Sequence, residues 1–128
     1  MHESRFWTTA LNRNQNLLGK LIVVLRRHEE SPAELTAEEW GDLRDELRWA
    51  TGRLREAFAP DHFNYAFLGN QDRHVHLHVI PRYSSPRRVG GADFADPDYP
   101  SHYAVPAPQR RVAPELLAAI EATLLTSK

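Results

Sequence analysis

Residues 74–82 read His-Val-His-Leu-His-Val-Ile-Pro-Arg, and this stretch decides the fold. Three histidines alternate with apolar residues, and a β-strand places alternate side chains on opposite faces of its sheet. As a strand, the stretch puts His74, His76 and His78 on one face and three apolar side chains into a core. A helix would scatter the same histidines around its axis. The β-branched residues favour a strand, and Pro81 marks the end of its pairing.

Three interpretations of the histidine row are open. The first is a solvated or hydrogen-bonded strand face without chemistry. A metal site would use histidine as its ligand, but at about 3.3 Å per residue the outer Cα atoms lie about 13 Å apart, whereas Zn–N bonds are about 2.1 Å long. The three histidines therefore do not share one metal ion. One adjacent His-x-His pair would bind an ion only with a third ligand from elsewhere in the chain. The third interpretation is nucleophilic catalysis by the central His76, because an unperturbed pKa of about 6.5 leaves much of a histidine neutral at neutral pH.

The composition indicates one globular, intracellular domain. A chain of 128 residues is long enough for one core. Its 16 Lys and Arg nearly balance 17 Asp and Glu, so no nucleic-acid-binding surface is indicated. There is no secretory signal core and no run of eighteen apolar residues, which predicts a cytoplasmic protein without membrane association. The absence of cysteine excludes disulfides and a Cys-ligated zinc site.

The first thirty residues are predicted to form a β-hairpin. Its polar turn lies at residues 12–16, and its second strand runs from Leu17 to Leu25 as a central strand covered on both faces. Gly19 interrupts this second strand, which indicates a bulge or a close backbone approach.

The longest helix is predicted to follow Thr36, which forms a capping-box pattern with Glu39. An apolar stripe at three- and four-residue spacing is assigned to the core: Trp40, Leu43, Leu47, Ala50, Leu54 and Phe58. This helix would cover one face of the sheet and leave the other face for the site.

The second half of the chain is predicted to add a strand, a long loop and a second helix. Residues 63–68 form a strand, and the polar connector 69–73 pairs it antiparallel with the histidine strand. The stretch 84–113 is rich in proline and aromatic residues, and we expect it to wrap the subunit or a partner near the site. A final helix begins at Pro114 and has Leu125 at the end of its packing face. This order of elements predicts an α+β fold with a largely antiparallel sheet.

The pattern of the histidine row resembles the signature of the histidine triad family, whose members transfer or hydrolyse nucleotidyl groups at an α-phosphate. The resemblance covers about residues 5–83, and residues 84–128 form a loop-rich extension with the C-terminal helix. It implies that residues 1–128 form a single domain of the histidine triad fold, with about five strands and one long helix. It also implies a homodimer joined through a sheet edge, and no metal or other cofactor.

The resemblance assigns catalytic roles to the three histidines. His76 would attack the α-phosphorus and form a covalent nucleotidyl-histidine, which water then resolves. The backbone carbonyl of His74 would hold Nδ1–H of His76, so that Nε2 faces the phosphorus. His78 would polarise the phosphate or assist the leaving group.

Four further residues are implied to bind the substrate. Asn12 corresponds to a family asparagine near the nucleoside. Asn70 and Gln71 stand where phosphate-contacting side chains are expected, with Gln71 in place of the usual Ser or Thr. Lys20 replaces a fourth histidine that many members carry; it supplies positive charge but differs from a ring in shape and proton chemistry.

Two functions follow from the resemblance. The first is a hydrolase or nucleotidyl transferase that acts at the α-phosphate of a dinucleoside polyphosphate, a nucleoside phosphoramidate or a similar nucleotide conjugate. The second is a nucleotide-binding protein of the same fold with little or no turnover, which the replacement at Lys20 keeps open.

Overall fold

The computed structural model describes residues 1–126. Within that range the strands are β1 (His2–Glu3), β2 (Trp7–Leu11), β3 (Leu21–Leu25), β4 (His62–Phe67), β5 (His76–Arg82), β6 (Arg87–Val89) and β7 (Ala92–Phe94). The helices are α1 (Ala37–Phe58) and α2 (Pro114–Thr126), with a short 3₁₀ turn at Pro32–Glu34. The first five strands form one antiparallel sheet in the order β1-β2-β3-β5-β4, and β6 and β7 form a separate hairpin. The predicted α+β fold is confirmed.

Helix α1 covers one face of the sheet because the odd-numbered residues of β2 and β3 point toward it. Nε1–H of Trp7 donates to the backbone carbonyl of Glu39 at 2.9 Å. The hydroxyl of Thr9 donates to the carboxylate of Glu46 at 2.6 Å. Along β3 the odd-numbered residues are buried, whereas the even-numbered ones are only half-buried. The even-numbered side chains therefore face away from α1, on the side where the site is expected.

Helix α1 begins with the predicted capping box. The Thr36 hydroxyl accepts from the backbone N–H of Glu39, and the Glu39 carboxylate accepts from the backbone N–H of Thr36. The assignment of Trp40 to the core is wrong: this residue is 44% exposed in the first turn of α1, where it lies beside the edge strand β4 and its ring contacts that of Phe67. The assignment of Leu125 to the packing face of α2 is also wrong, because this residue, in the last turn of the helix, is 44% exposed. Neither helix within residues 1–126 has both the length and the apolar character needed to cross a bilayer.

The second strand of the hairpin begins at Leu21, four residues later than predicted. Leu17 is buried, but it lies in the turn that precedes the strand. Gly19 has a φ of 81°, and a Cβ at this position would lie 2.7 Å from Cδ2 of Leu54. A close backbone approach to α1 therefore explains this glycine, since a larger residue would be both strained and too near the helix.

Strand β5 begins at His76, two residues later than predicted. The backbone N–H of His74 donates to the carboxylate of Asp72 at 3.0 Å, and that of Val75 donates to the carbonyl of Glu29 at 2.8 Å. Loop contacts therefore hold residues 74–75 before the ladder begins. Residues 76–79 of β5 pair antiparallel with β3, and residues 77–82 pair antiparallel with β4, as predicted for β4. The pairing with β4 continues past Pro81, so the prediction that Pro81 ends the pairing is wrong.

A buried ion pair anchors the stretch after β5 to the sheet. Nε of Arg82 lies 2.7 Å from a carboxylate oxygen of Asp96, and the two side chains are 3% and 1% exposed. The same guanidinium donates to the carbonyl of Ser101 at 2.7 Å. The stretch 84–113 therefore wraps the subunit, as expected, although part of it is the β6–β7 hairpin rather than loop.

Replacing Asp96 with Asn should lower the free energy of unfolding by about 3 kcal/mol, because it leaves the guanidinium of Arg82 buried without a counter-charge. Asp93→Asn is the matched control: its ion pair with Arg88 joins side chains that are 72% and 64% exposed, and its loss should cost less than about 1 kcal/mol. Urea unfolding of both variants measures the difference. Equal destabilisation by the two changes would contradict the structural role given to Asp96.

Candidate functional site

A cleft of about 470 Å³ lies on the side of the sheet opposite α1. Its volume falls in the range of small-molecule sites. Six of the seven residues predicted for the site line it: Asn12, Lys20, Asn70, Gln71, His76 and His78. Sheet register explains part of this convergence, because Val24 pairs with His76 and Ile22 pairs with His78 across β3 and β5. The two histidines therefore lie side by side on the face that α1 leaves open.

The ring of His76 is held in one tautomer. Its Nδ1 lies 2.7 Å from the backbone carbonyl of His74, and because a carbonyl only accepts, Nδ1 must carry the proton. When the ring is neutral, Nε2 therefore has the free lone pair. Within residues 1–126 no protein group forms a hydrogen bond with Nε2, and the ring lines the cleft. This arrangement suits a nucleophile.

The ring of His74 lies outside the cleft lining. Its Nε2 is 2.6 Å from the carbonyl of Leu25, and its ring centroid lies 5.5 Å from that of His28. The predicted row of three imidazoles on one face is therefore reduced to His76 and His78. His74 contributes its backbone carbonyl to the site, while its side chain ties the start of β5 to the end of β3.

His78 is neutral under ordinary conditions. Its ring centroid lies 5.0 Å from that of His76, with the two rings nearly perpendicular. Burial lowers the pKa of His78 to about 4, and the nearby positive charges of His76 and Lys20 act in the same direction. At pH 7 its imidazole therefore has one donor and one acceptor nitrogen, and it brings no charge to the cleft.

Lys20 is the buried cation of the cleft. The residue is 6% exposed, and burial lowers the pKa of its ammonium group. Nζ donates to the side-chain carbonyl of Asn16 at 2.7 Å. Among the described residues that line the cleft, the only acidic one is Asp72, and its carboxylate accepts the backbone N–H of His74. Because a buried charge is costly without a counter-charge, the cleft is suited to an anion.

The turn between β2 and β3, which contains the predicted residue Asn12, also holds two functional candidates that the sequence analysis left without a role, Asn14 and Asn16. The side-chain carbonyl of Asn12 accepts the backbone N–H of Asn14 at 2.9 Å, and that of Asn14 accepts the backbone N–H of Asn16 at 3.2 Å. Asn16 in turn accepts from Lys20. The spacing of these three asparagines is visible in the sequence, but their partners are not.

A second missed element is the segment 101–111, which we call the strap. Its residues Tyr103, Ala104, Val105, Pro106 and Ala107 line the cleft, together with Gln109 and Arg111. The richness of this region in proline and aromatic residues indicated a position near the site. It did not indicate which residues would face the cleft.

Within residues 1–126, the fold brings no further metal ligand to the pair His76 and His78. Among residues 1–126 there is no group of three or more His, Asp or Glu side chains arranged to hold a metal ion. His76 and His78 form an adjacent pair, and the third ligand that such a pair would need is not beside them.

Solved structures resemble this architecture closely. A histidine triad protein from Marinobacter aquaeolei is 28% identical, with a TM-score of 0.77 over 95% of this chain and 82% of its own. A histidine triad protein from Sinorhizobium meliloti is 22% identical, with a TM-score of 0.78 over 96% of this chain and 84% of its own. The chain has the histidine triad fold. The resemblance read from residues 74–82 is thus confirmed.

The same fold extends to more distant proteins. A hypothetical histidine triad nucleotide-binding protein from Sulfolobus tokodaii is 16% identical, with a TM-score of 0.71 over 96% of this chain and 78% of its own. No family sequence model and no curated protein sequence matches the chain. The histidine triad fold is therefore recognised here through the arrangement of the backbone and the triad itself.

The pKa of His78 can be measured by following its ring protons in an NMR titration. We expect a value near 4, because burial and two neighbouring cations disfavour the imidazolium. In Lys20→Met the pKa of His78 should rise, since one of those positive charges is removed. A His78 that titrates near the ordinary value of about 6.5 would contradict this description of the cleft.

Proposed function

We propose that this protein is a hydrolase or nucleotidyl transferase that acts at the α-phosphate of a nucleotide conjugate, through a covalent intermediate on His76. Candidate substrates are dinucleoside polyphosphates, nucleoside phosphoramidates and similar conjugates. The observation that carries the proposal is the 2.7 Å contact between Nδ1 of His76 and the carbonyl of His74, which leaves Nε2 free in a cation-containing cleft. The histidine triad fold supports it at the level of the family.

The proposed reaction has two steps. In the first, Nε2 of His76 forms a bond to the α-phosphorus while the bond from phosphorus to the leaving group breaks, and the leaving group takes the bonding electrons. In the second, water attacks the same phosphorus, the P–N bond breaks, and its electrons return to Nε2 while the water loses a proton to solvent. The products are the free leaving group and a nucleoside monophosphate.

The other cleft residues are proposed to bind and orient the phosphate and nucleoside. Neutral His78 donates a hydrogen bond to a phosphoryl oxygen or to the leaving group. Lys20 supplies the positive charge that the phosphate needs, and Asn70 and Gln71 contact the phosphate from the connector before β5. Asn12 lies at the nucleoside end of the cleft.

A nucleotide-binding protein with little turnover is the second candidate function. Lys20 favours it, because an ammonium group held by Asn16 binds a phosphate well without offering the neutral base that a histidine would offer. The two candidates differ in whether bound nucleotide is cleaved.

His76→Ala should reduce the release of AMP from a diadenosine polyphosphate or from an adenosine phosphoramidate by at least about a thousandfold, because it removes the nucleophile. Intact-protein mass spectrometry of the wild type, quenched during turnover, should show a nucleotidyl adduct that His76→Ala lacks. The matched control is His62→Ala: His62 is exposed at the start of β4 and outside the cleft lining. This control should keep the wild-type rate.

Three results bear on the alternatives. Tight nucleotide binding with neither AMP release nor an adduct would favour the binding protein. Activity in His76→Ala close to that of the wild type would contradict the proposed nucleophile. Activity that survives a strong chelator would dismiss the metal-dependent interpretation.

We further propose that two copies of the chain form a homodimer through the free edge of β4. Strand β4 is an edge of the five-stranded sheet, and an unpaired edge presents backbone N–H and C=O groups to a partner. Exposed apolar side chains cluster beside this edge: Trp40, Tyr65, Phe67 and Leu68. A second copy of the same edge would cover both features symmetrically.

Phe67→Glu should convert the dimer into a monomer, because it places like charges on both sides of the twofold interface. Leu125→Glu is the control, since Leu125 is also an exposed apolar residue but lies on α2. Sedimentation equilibrium at micromolar concentration measures the mass of each. A monomeric wild type, or equal masses for the two variants, would contradict the proposed interface.

The composition supports a proposal about cellular setting and domain organisation. A chain without cysteine suits a reducing compartment, and one hydrophobic cluster joins the sheet with both helices. We therefore propose that residues 1–128 act as one cytoplasmic domain.

A further inference from the structure

The cleft lining includes apolar side chains from two separate parts of the chain. The strap contributes Tyr103, Val105 and Pro106, and Val105 is 67% exposed although it lines the cleft. Leu17 and Ile80, both buried in the body of the protein, also line the cleft. An exposed apolar side chain in a concave site gains free energy when an apolar ligand covers it.

The strap is held in place at both ends by polar contacts. At its start, the carbonyl of Ser101 accepts from the buried guanidinium of Arg82. At its end, the side-chain amide of Asn14 donates to the carbonyl of Pro108 at 3.1 Å and accepts the backbone N–H of Arg110 at 2.9 Å. Asn14 is only 8% exposed and pairs with Arg111 through its backbone. The residues between these anchors therefore form a wall that exists before any ligand binds.

The turn that holds the strap also holds the polar part of the cleft. The backbone N–H of Asn14 fixes the side chain of Asn12, and Asn16 fixes the ammonium group of Lys20. The same turn therefore holds both the strap and the buried cation. A ligand that contacts both combines an apolar part with an anionic group.

We propose that the strap forms the nucleobase subsite, with the base packed between Tyr103–Pro106 and the pair Leu17 and Ile80, and that Asn14 is the positioning residue that holds the strap there. This inference rests on the proposed function in taking a nucleotide as the ligand. It goes further by assigning base recognition to residues 101–111, outside the part of the chain that carries the histidine triad resemblance. The phosphate then lies at His76 and Lys20.

The contribution of the base is measured by comparing the affinities of two probes, AMP and ribose 5-phosphate, by calorimetry. The wild type should bind AMP at least about tenfold more tightly, since the base covers apolar surface that the sugar phosphate leaves open. Val105→Ser should reduce the ratio of the affinity for AMP to the affinity for ribose 5-phosphate at least about threefold. Its effect on the binding of ribose 5-phosphate should be much smaller than its effect on the binding of AMP. Leu125→Ser is the control, because it removes another exposed apolar side chain that does not line the cleft; it should leave the ratio unchanged.

Asn14 is tested through the same ratio and through steady-state kinetics. Asn14→Ala should lower the ratio and raise KM more than it lowers kcat, because it frees the strap without touching His76. Asn14→Asp keeps the acceptor for Arg110 but loses the donor to Pro108, so its ratio should lie between those of wild type and Asn14→Ala. If Asn14 had only a structural role, its substitutions would change thermal stability without this graded decrease in the ratio of the AMP affinity to the ribose 5-phosphate affinity.

The outcomes separate this inference from the proposed function. An unchanged ratio in Val105→Ser would overturn the inference even in an active enzyme, and Val105→Ser decides if Asn14→Ala does not fold. The expected ratios in a protein that never releases AMP would support the inference and contradict the proposed catalysis. A wild type that binds neither probe would overturn both.

Discussion

The site depends on one hydrogen bond, from Nδ1–H of His76 to the backbone carbonyl of His74. A neutral imidazole has two tautomers, and only the one protonated at Nδ1 leaves Nε2 with a lone pair. The carbonyl of His74 selects that tautomer because it is held in place by contacts of residues 74–75 with the Asp72 carboxylate and with β3. The irregular start of β5 is therefore part of the site rather than a frayed end.

The buried positive charge of the cleft is that of Lys20 rather than that of His78. Burial and neighbouring cations keep His78 neutral, while Lys20 carries the buried positive charge and is oriented by Asn16. The buried ammonium group of Lys20 and the free Nε2 of His76 thus lie in the same cleft. Lys20 is accommodated because the turn supplies the amide oxygen of Asn16 to hold its ammonium group.

The asparagine-rich turn joins parts of the molecule that are far apart in sequence. It contacts the strap through Asn14, nearly one hundred residues away, and the cation of the cleft through Asn16. The guanidinium of Arg82, which is also paired with Asp96, ties the start of the strap to the end of β5 through the carbonyl of Ser101. The histidine strand and the turn thus both support the wall that completes the cleft.

Local sequence patterns were enough to predict the α+β class, the capping box of α1, the antiparallel pairing of β4 with β5 and the resemblance carried by residues 74–82. These features depend on local periodicity, turn chemistry and a short motif, which neighbouring residues encode. Only the tertiary structure decided that His74 turns its ring toward β3, that Trp40 is exposed and that residues 103–107 face the cleft. Each of those outcomes depends on contacts between segments distant in the chain, or on what lies beside a sheet edge, and no local pattern specifies them.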